Sequence, residues 1–235
     1  MKTLTVRTMG ASCACVEKVI SAIRQYAENG ISCHHVRDYD EDVIQIHYTV
    51  DTPQTLIDDI ARYAVEVLDV ALYALGDTTL EEQVVTLLKL RGRRLSVAES
   101  FTGGGLARRI VSVSGASEVY FEGLNTYNEL SKIKRLGVNP ETLKTKGAVS
   151  EQTAYEMAVG LLNTSDCDMV ITTTGLAGPN SDSSGLPVGL CFIAVGSRER
   201  IRVYQYKFDG SRKEITEKAI NYALYLTYKQ LKDMI

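Results

Sequence analysis

Histidine is nearly missing from this chain. Only three of 235 residues are histidine, His34, His35 and His47, and all three fall in the first quarter. Acid–base chemistry in the rest of the chain must therefore use other side chains. Long apolar runs are missing too, so no segment reads as membrane-crossing. The opening MKTLTVRTMG has no apolar signal core, and a cytoplasmic protein is expected. Cysteine is sparse and odd in number: Cys13, Cys15, Cys33, Cys167 and Cys191. Scattered cysteines without an export signal point to reduced thiols rather than a disulfide framework. No metal site is expected. Cys13 and Cys15 would diverge in the first turn of a helix, His34 and His35 would face opposite ways on a strand, and the CxxC spacing is absent.

What is present is an ordinary globular composition, 45% hydrophobic and 23% charged. The net charge of −3 is unevenly spread. Residues 1–78 hold 6 basic and 12 acidic side chains, a balance of −6, which leaves +3 for the remainder. An acidic first part is a poor partner for nucleic acid, and the mildly basic second part suits a small anionic ligand.

The periodicities divide the chain in two. In the first part, Leu4 and Val6 alternate as in a strand, and Val16, Val19, Ile20, Ile23 and Ala27 recur at helical spacing up to Asn29-Gly30. Strands over 31–37 and around Ile44–Val50 follow, and Thr52-Pro53 opens a second helix carrying Leu56, Ile57, Ile60, Ala64 and Leu68. This β-α-β-β-α order predicts a small α+β domain over 1–77. The second domain, 78–235, opens on Thr79-Leu80-Glu81-Glu82, a capping box. Helical stripes at 84–88, 154–162 and 215–226 alternate with strands at 95–98, 170–174, 189–195 and 201–208. That alternation predicts an α/β fold, a three-layer α/β/α sandwich with a mixed sheet.

One stretch draws the chemistry together. Leu95–Ala98 reads as a strand and runs into Glu99, Ser100, Thr102 and the glycines Gly103 to Gly105, then a helix with Leu106 and Ile110. Strand, glycine turn and helix let backbone N–H groups approach a ligand. Ser117, Tyr127 and Lys132 follow, a hydroxyl, a phenol and an amine, which are the groups acyl transfer needs when histidine is lacking.

Four motifs now carry a resemblance. They are Ala98-Glu99-Ser100-x-Thr102-Gly103-Gly104; Gly147-Ala148-Val149-Ser150-Glu151; Thr174-Gly175-x-Ala177-Gly178-Pro179 with Pro187-Val188-Gly189; and Phe208-x-Gly210-x-Arg212. In order and separation they resemble the CinA C-terminal domain family, which includes nicotinamide-mononucleotide (NMN) deamidases. The first domain resembles the KH-like segment that precedes it in full-length CinA proteins. The resemblance implies an amidohydrolase that converts NMN and water to nicotinate mononucleotide and ammonia, with no cofactor and by a Ser/Lys acyl-enzyme route. It implies Ser117 as nucleophile, Lys132 as base and Tyr127 as its hydrogen-bonded helper. Glu99, Ser100, Thr102, Gly103, Gly104, Thr174, Gly175 and Arg212 would hold substrate, Arg212 taking the phosphate. Amides of Gly103-Gly104 or Gly175 would receive the oxyanion. A homo-oligomer is expected.

Some positions depart from the family pattern. Phe101 stands for a common Cys, residues 128–131 read Asn-Glu-Leu-Ser, Asn180-Ser181-Asp182 replaces Asp and glycines, and Ser211 replaces Asp. A catalytically weakened nucleotide-binding or regulatory protein is the alternative these loops leave open. RNA binding by the first domain is the weakest reading, because Gly10-Ala11-Ser12-Cys13 lacks the Gly-x-x-Gly of a KH loop.

Overall fold

The computed structural model describes residues 1–181 and 185–232. Residues 182–184, which belong to the altered loop at 180–185, lie outside the described residues. The chain divides into two compact units, residues 1–79 and the residues from Leu80 onward.

The first unit runs β1 (Lys2–Met9), α1 (Cys13–Arg24), β2 (Ser32–Asp38), β3 (Glu41–Tyr48), α2 (Gln54–Leu68) and β4 (Leu72–Leu75). The sheet order is β2-β3-β1-β4, antiparallel at every pairing. The helical stripes expected from periodicity are the buried ones. Val16, Val19, Ile20 and Ile23 of α1, with Ile57, Ile60 and Ala64 of α2, meet Val6, Ile44 and Ile46 of the sheet. This is a split βαβ, or ferredoxin-like, arrangement. The element that decides it, β4, is only four residues long, too short for alternation to reveal.

The second unit begins with α3 (Leu80–Leu90) and β5 (Leu95–Glu99), then α4 (Gly105–Val111) and β6 (Tyr120–Asn125). Three helices follow, α5 (Glu129–Leu136), α6 (Pro140–Lys146) and α7 (Glu151–Thr164). Strands β7 (Met169–Gly175), β8 (Leu190–Ser197) and β9 (Ile201–Lys207) precede a long α8 (Arg212–Lys232). The sheet order is β6-β5-β7-β8-β9, parallel among the first three strands and antiparallel at β8 and β9. Both faces are covered. Neighbours on a strand point opposite ways, and on β8 Cys191 packs with Ile215 and Ala219 of α8 while Phe192 packs with Met157 and Leu161 of α7. The unit is thus the three-layer α/β/α sandwich with a mixed sheet.

Local chemistry sets the helix ends that matter here. Ser150 caps α7 by accepting from the Thr153 amide, and Asn128 caps α5 by accepting from the Leu130 amide. Ser211 and Glu214 form the capping box at α8, with the Ser211 amide donating to Glu214 Oε2 at 2.7 Å. Gly160 lets α7 pass close to the end of α5, since a Cβ there would lie 1.7 Å from the carbonyl oxygen of Leu136. Strands β5, β6 and β7 are parallel, so their C-terminal ends share one edge of the sheet. Connections leave that edge in different directions from β5 and β7, the situation in which open α/β sheets form ligand crevices. Among the described residues no helix is long and apolar enough to cross a membrane.

Candidate active site

At that edge sits a buried amine. Lys132 lies on α5, yet its side chain is only 1% exposed. The reason is position: it is on the α5 face that meets the sheet, one turn before the buried Leu136. Its Nζ is 2.9 Å from Ser100 Oγ, 2.7 Å from the Thr126 carbonyl oxygen and 3.4 Å from that of Tyr127. No carboxylate within ion-pairing distance compensates the charge among the described residues. Burial therefore pulls the ammonium down from 10.5 to about 8, against a weaker opposing pull from Glu129.

Ser100 follows directly on β5. Its amide donates to the Thr173 carbonyl at 3.1 Å and its carbonyl accepts from the Gly103 amide at 3.1 Å, so it occupies the first position of a tight turn. Ser100 is 7% exposed, and its hydroxyl faces Lys132. Thr102 is bonded to Thr173, hydroxyl to hydroxyl, at 2.8 Å.

Glu99, expected to hold substrate, is turned inward at 1% exposure. Its Oε2 accepts from the amides of Gly104 and Leu106 at 3.0 and 3.1 Å, and its Oε1 from Ala107 at 2.8 Å. Gly104 reaches this carboxylate with φ of 93°, a conformation that favours glycine. The amides of Gly103 and Gly104, expected to receive an oxyanion, are thus both committed inside the protein, to Ser100 and Glu99. Gly175 pairs with Cys191 in the β7–β8 ladder, and a Cβ on it would strike Cys191 and the Phe101 ring. It is there to let strands and ring approach. Thr174 is 1% exposed and donates to the Ala148 carbonyl at 2.6 Å, which ties β7 to the segment before α7.

Two expected assignments change. Ser117 is not brought to Lys132. It is exposed in the turn Ala116–Glu118, before β6 begins, whereas Lys132 follows the strand's other end. Six strand residues at ~3.3 Å each put roughly 20 Å of sheet between them. The hydroxyl within hydrogen-bond reach of the amine is that of Ser100. Tyr127 also does something other than assist Lys132 through its phenol. The residue is 61% exposed, and its hydroxyl accepts from Arg212 Nη2 at 3.1 Å. What Tyr127 offers Lys132 is its backbone carbonyl.

Arg212, the first residue of α8, also donates from Nη1 to the Gly178 carbonyl at 2.8 Å. It therefore stands at the solvent side of the same edge, joined to the Tyr127 phenol. The backbone carbonyl of Thr126 has no side-chain signature and could not be found from the sequence. Ser100 had a signal, its place between a strand end and a glycine turn. A cleft of about 580 Å³ runs along α7 and β9, lined by Lys146, Ser150, Gln152, Tyr155, Ile201 and Val203. Neither Ser100 nor Lys132 lines it.

Comparison with known proteins bears on the whole second unit. Residues 77–231 match the family model for the CinA C-terminal domain. A relative from Caldicellulosiruptor saccharolyticus is 43% identical over 160 residues, 68% of this chain and 39% of its own. A CinA-like protein from Kosmotoga olearia is 35% identical over 237 residues, covering 100% of this chain and 57% of itself. The chain thus spans little more than half the length of such curated relatives, or less. Among solved structures, a CinA superfamily protein from Klebsiella pneumoniae superposes with a TM-score of 0.64 at 32% identity, over 66% of this chain and 96% of that one. With its second unit matched almost end to end and a relative aligned along its full length, the chain belongs to the CinA C-terminal domain family.

Proposed function

We propose that the protein is an amidohydrolase acting on NMN, with Ser100 as nucleophile and Lys132 as general base. The observation that carries this reading is the buried Lys132 amine 2.9 Å from the Ser100 hydroxyl. A lysine serves as base only when it can lose its proton near neutral pH, and burial brings Lys132 to about 8. The neighbours suit the neutral amine. Nζ donates to the Thr126 and Tyr127 carbonyls and to Ser100 Oγ; once the amine loses its proton, two N–H bonds remain for the carbonyls and the freed lone pair can accept from the Ser100 O–H over the same 2.9 Å contact.

In the first step Ser100 Oγ bonds to the carboxamide carbon and its proton passes to Lys132 Nζ. The carbonyl π pair moves onto the oxygen. The tetrahedral intermediate then collapses, the C–N bond breaks, and the nitrogen leaves as ammonia with the proton from Lys132. Water attacks the acyl ester, gives its proton to Lys132, and the C–Oγ bond breaks as that proton returns to Ser100. Arg212 supports the assignment of a phosphorylated substrate, because a guanidinium at the mouth suits a phosphate.

Ammonia release from NMN, with nicotinamide and nicotinamide riboside in parallel, tests the reading. The expected result is rapid release from NMN that Ser100→Ala and Lys132→Ala both abolish. No release by the folded wild-type chain would overturn it. NMN-dependent thermal stabilisation without turnover would replace it with a nucleotide-binding role.

A further inference from the structure

The turn after Ser100 can be accounted for amide by amide. A backbone N–H in the interior almost always has a partner. Ser100 donates to the Thr173 carbonyl, Gly103 to the Ser100 carbonyl and Gly105 to the Thr102 carbonyl. Gly104, Leu106 and Ala107 donate to the Glu99 carboxylate. In the run 100–107 only the amides of Phe101 and Thr102 have no acceptor among the described residues. They are consecutive, they follow the hydroxyl that Lys132 faces, and the two residues are 6% and 5% exposed. Each side chain is also anchored, Phe101 in the cluster with Cys191 and Ile215, and Thr102 on Thr173.

We propose that the amides of Phe101 and Thr102 are the hydrogen-bond donors for the oxyanion formed when Ser100 attacks, and that Glu99 is the positioning residue that keeps them free. The inference rests on the amidohydrolase reading and deepens it. The central residues of a tight turn direct their N–H groups away from the turn's own hydrogen bond. Here that leaves two adjacent donors beside the nucleophile, the arrangement that stabilises a developing negative oxygen at little reorganisation cost. Glu99 holds the turn from beneath through three amides. Its carboxylate fills the place where a substrate anion would otherwise meet the glycine turn, so the phosphate is directed to Arg212 instead.

The test compares Phe101→Pro with Phe101→Ala. Both lose the ring's packing, but only proline loses the N–H, and proline suits the second position of such a turn. Loss of one oxyanion donor lowers kcat by about 100-fold or more, so Phe101→Pro is expected that far below Phe101→Ala with KM unchanged. Should the proline variant not fold, the α-hydroxy analogue of phenylalanine at position 101 replaces only the N–H by oxygen, and the same loss is expected. Equal kcat in the N–H-deleted and N–H-retaining proteins would overturn the proposal while leaving Ser100 and Lys132 in their roles. A wild type that releases no ammonia would remove both. For Glu99→Gln, which has one accepting oxygen in place of two, kcat should fall about tenfold with KM and the pH midpoint near 8 unchanged. A rise in KM or a moved midpoint would show that Glu99 touches substrate or Lys132 instead.

Discussion

The two ends of β6 hold the same kinds of residue in opposite circumstances. Before the strand, Ser117 is exposed, and Lys89, next to that turn, forms a half-open ion pair with Glu118 at 2.8 Å. After the strand, Lys132 is buried, has no carboxylate on its amine among the described residues, and meets a serine hydroxyl instead. A buried lysine with only carbonyl and hydroxyl neighbours is close to giving its proton up. What separates a surface from a candidate catalytic centre is therefore the surroundings of the lysine–serine pair, and the connectivity of the sheet sets those surroundings.

The sharpest way to break the contrast is to remove the buried pair. Ser100→Ala and Lys132→Met should each lower NMN hydrolysis by about 1000-fold or more, as expected when one member of a cooperating catalytic pair is lost. Ser117→Ala, measured by the same ammonia assay, should stay within about twofold. The reverse pattern would return the nucleophile to the other end of β6.

Removing the cation at the mouth should act on binding. Arg212→Ala is expected to raise KM for NMN by about 10- to 100-fold, the worth of a charge-assisted hydrogen bond. Initial-rate measurements on nicotinamide riboside, which lacks the phosphate, should show little change. An equal change for both substrates would move the phosphate elsewhere.

Proton titration sharpens the comparison further. Below about 8 the Lys132 amine is protonated, so kcat/KM should fall about tenfold per pH unit there. The stability effect has the same origin. The folded-state value of about 8 lies below the ordinary 10.5, so between them the unfolded chain holds more protons and stability rises with pH. Denaturant titrations at pH 7 and pH 10 should show that rise in wild type and a smaller one in Lys132→Met. The smallest effect belongs to the exposed end. Lys89→Ala should cost less than about 1 kcal/mol, as surface ion pairs do, and leave turnover unchanged.

Elements with one strongly apolar face were legible in the sequence. Val84, Val85 and Leu88 of α3 are buried as their spacing predicts, and so are Ala154, Met157, Ala158, Leu161 and Leu162 of α7. Strand β6 was not legible. It lies at the sheet edge, its burial alternates only weakly, and Glu122 and Gly123 interrupt any apolar pattern. Without that strand Ser117 and Lys132 look close, being fifteen positions apart. The same omission hides Thr126, whose contribution is a carbonyl oxygen.

The sequence by itself determined the layers, the glycine turn and the lack of histidine in the second unit, because these follow from residue type and short-range spacing. Only the tertiary structure decided which serine meets Lys132, that Glu99 serves the turn, and that the Tyr127 phenol serves Arg212. Those contacts join residues from separate strands and helices, and their distances follow from strand order and direction rather than from separation along the chain.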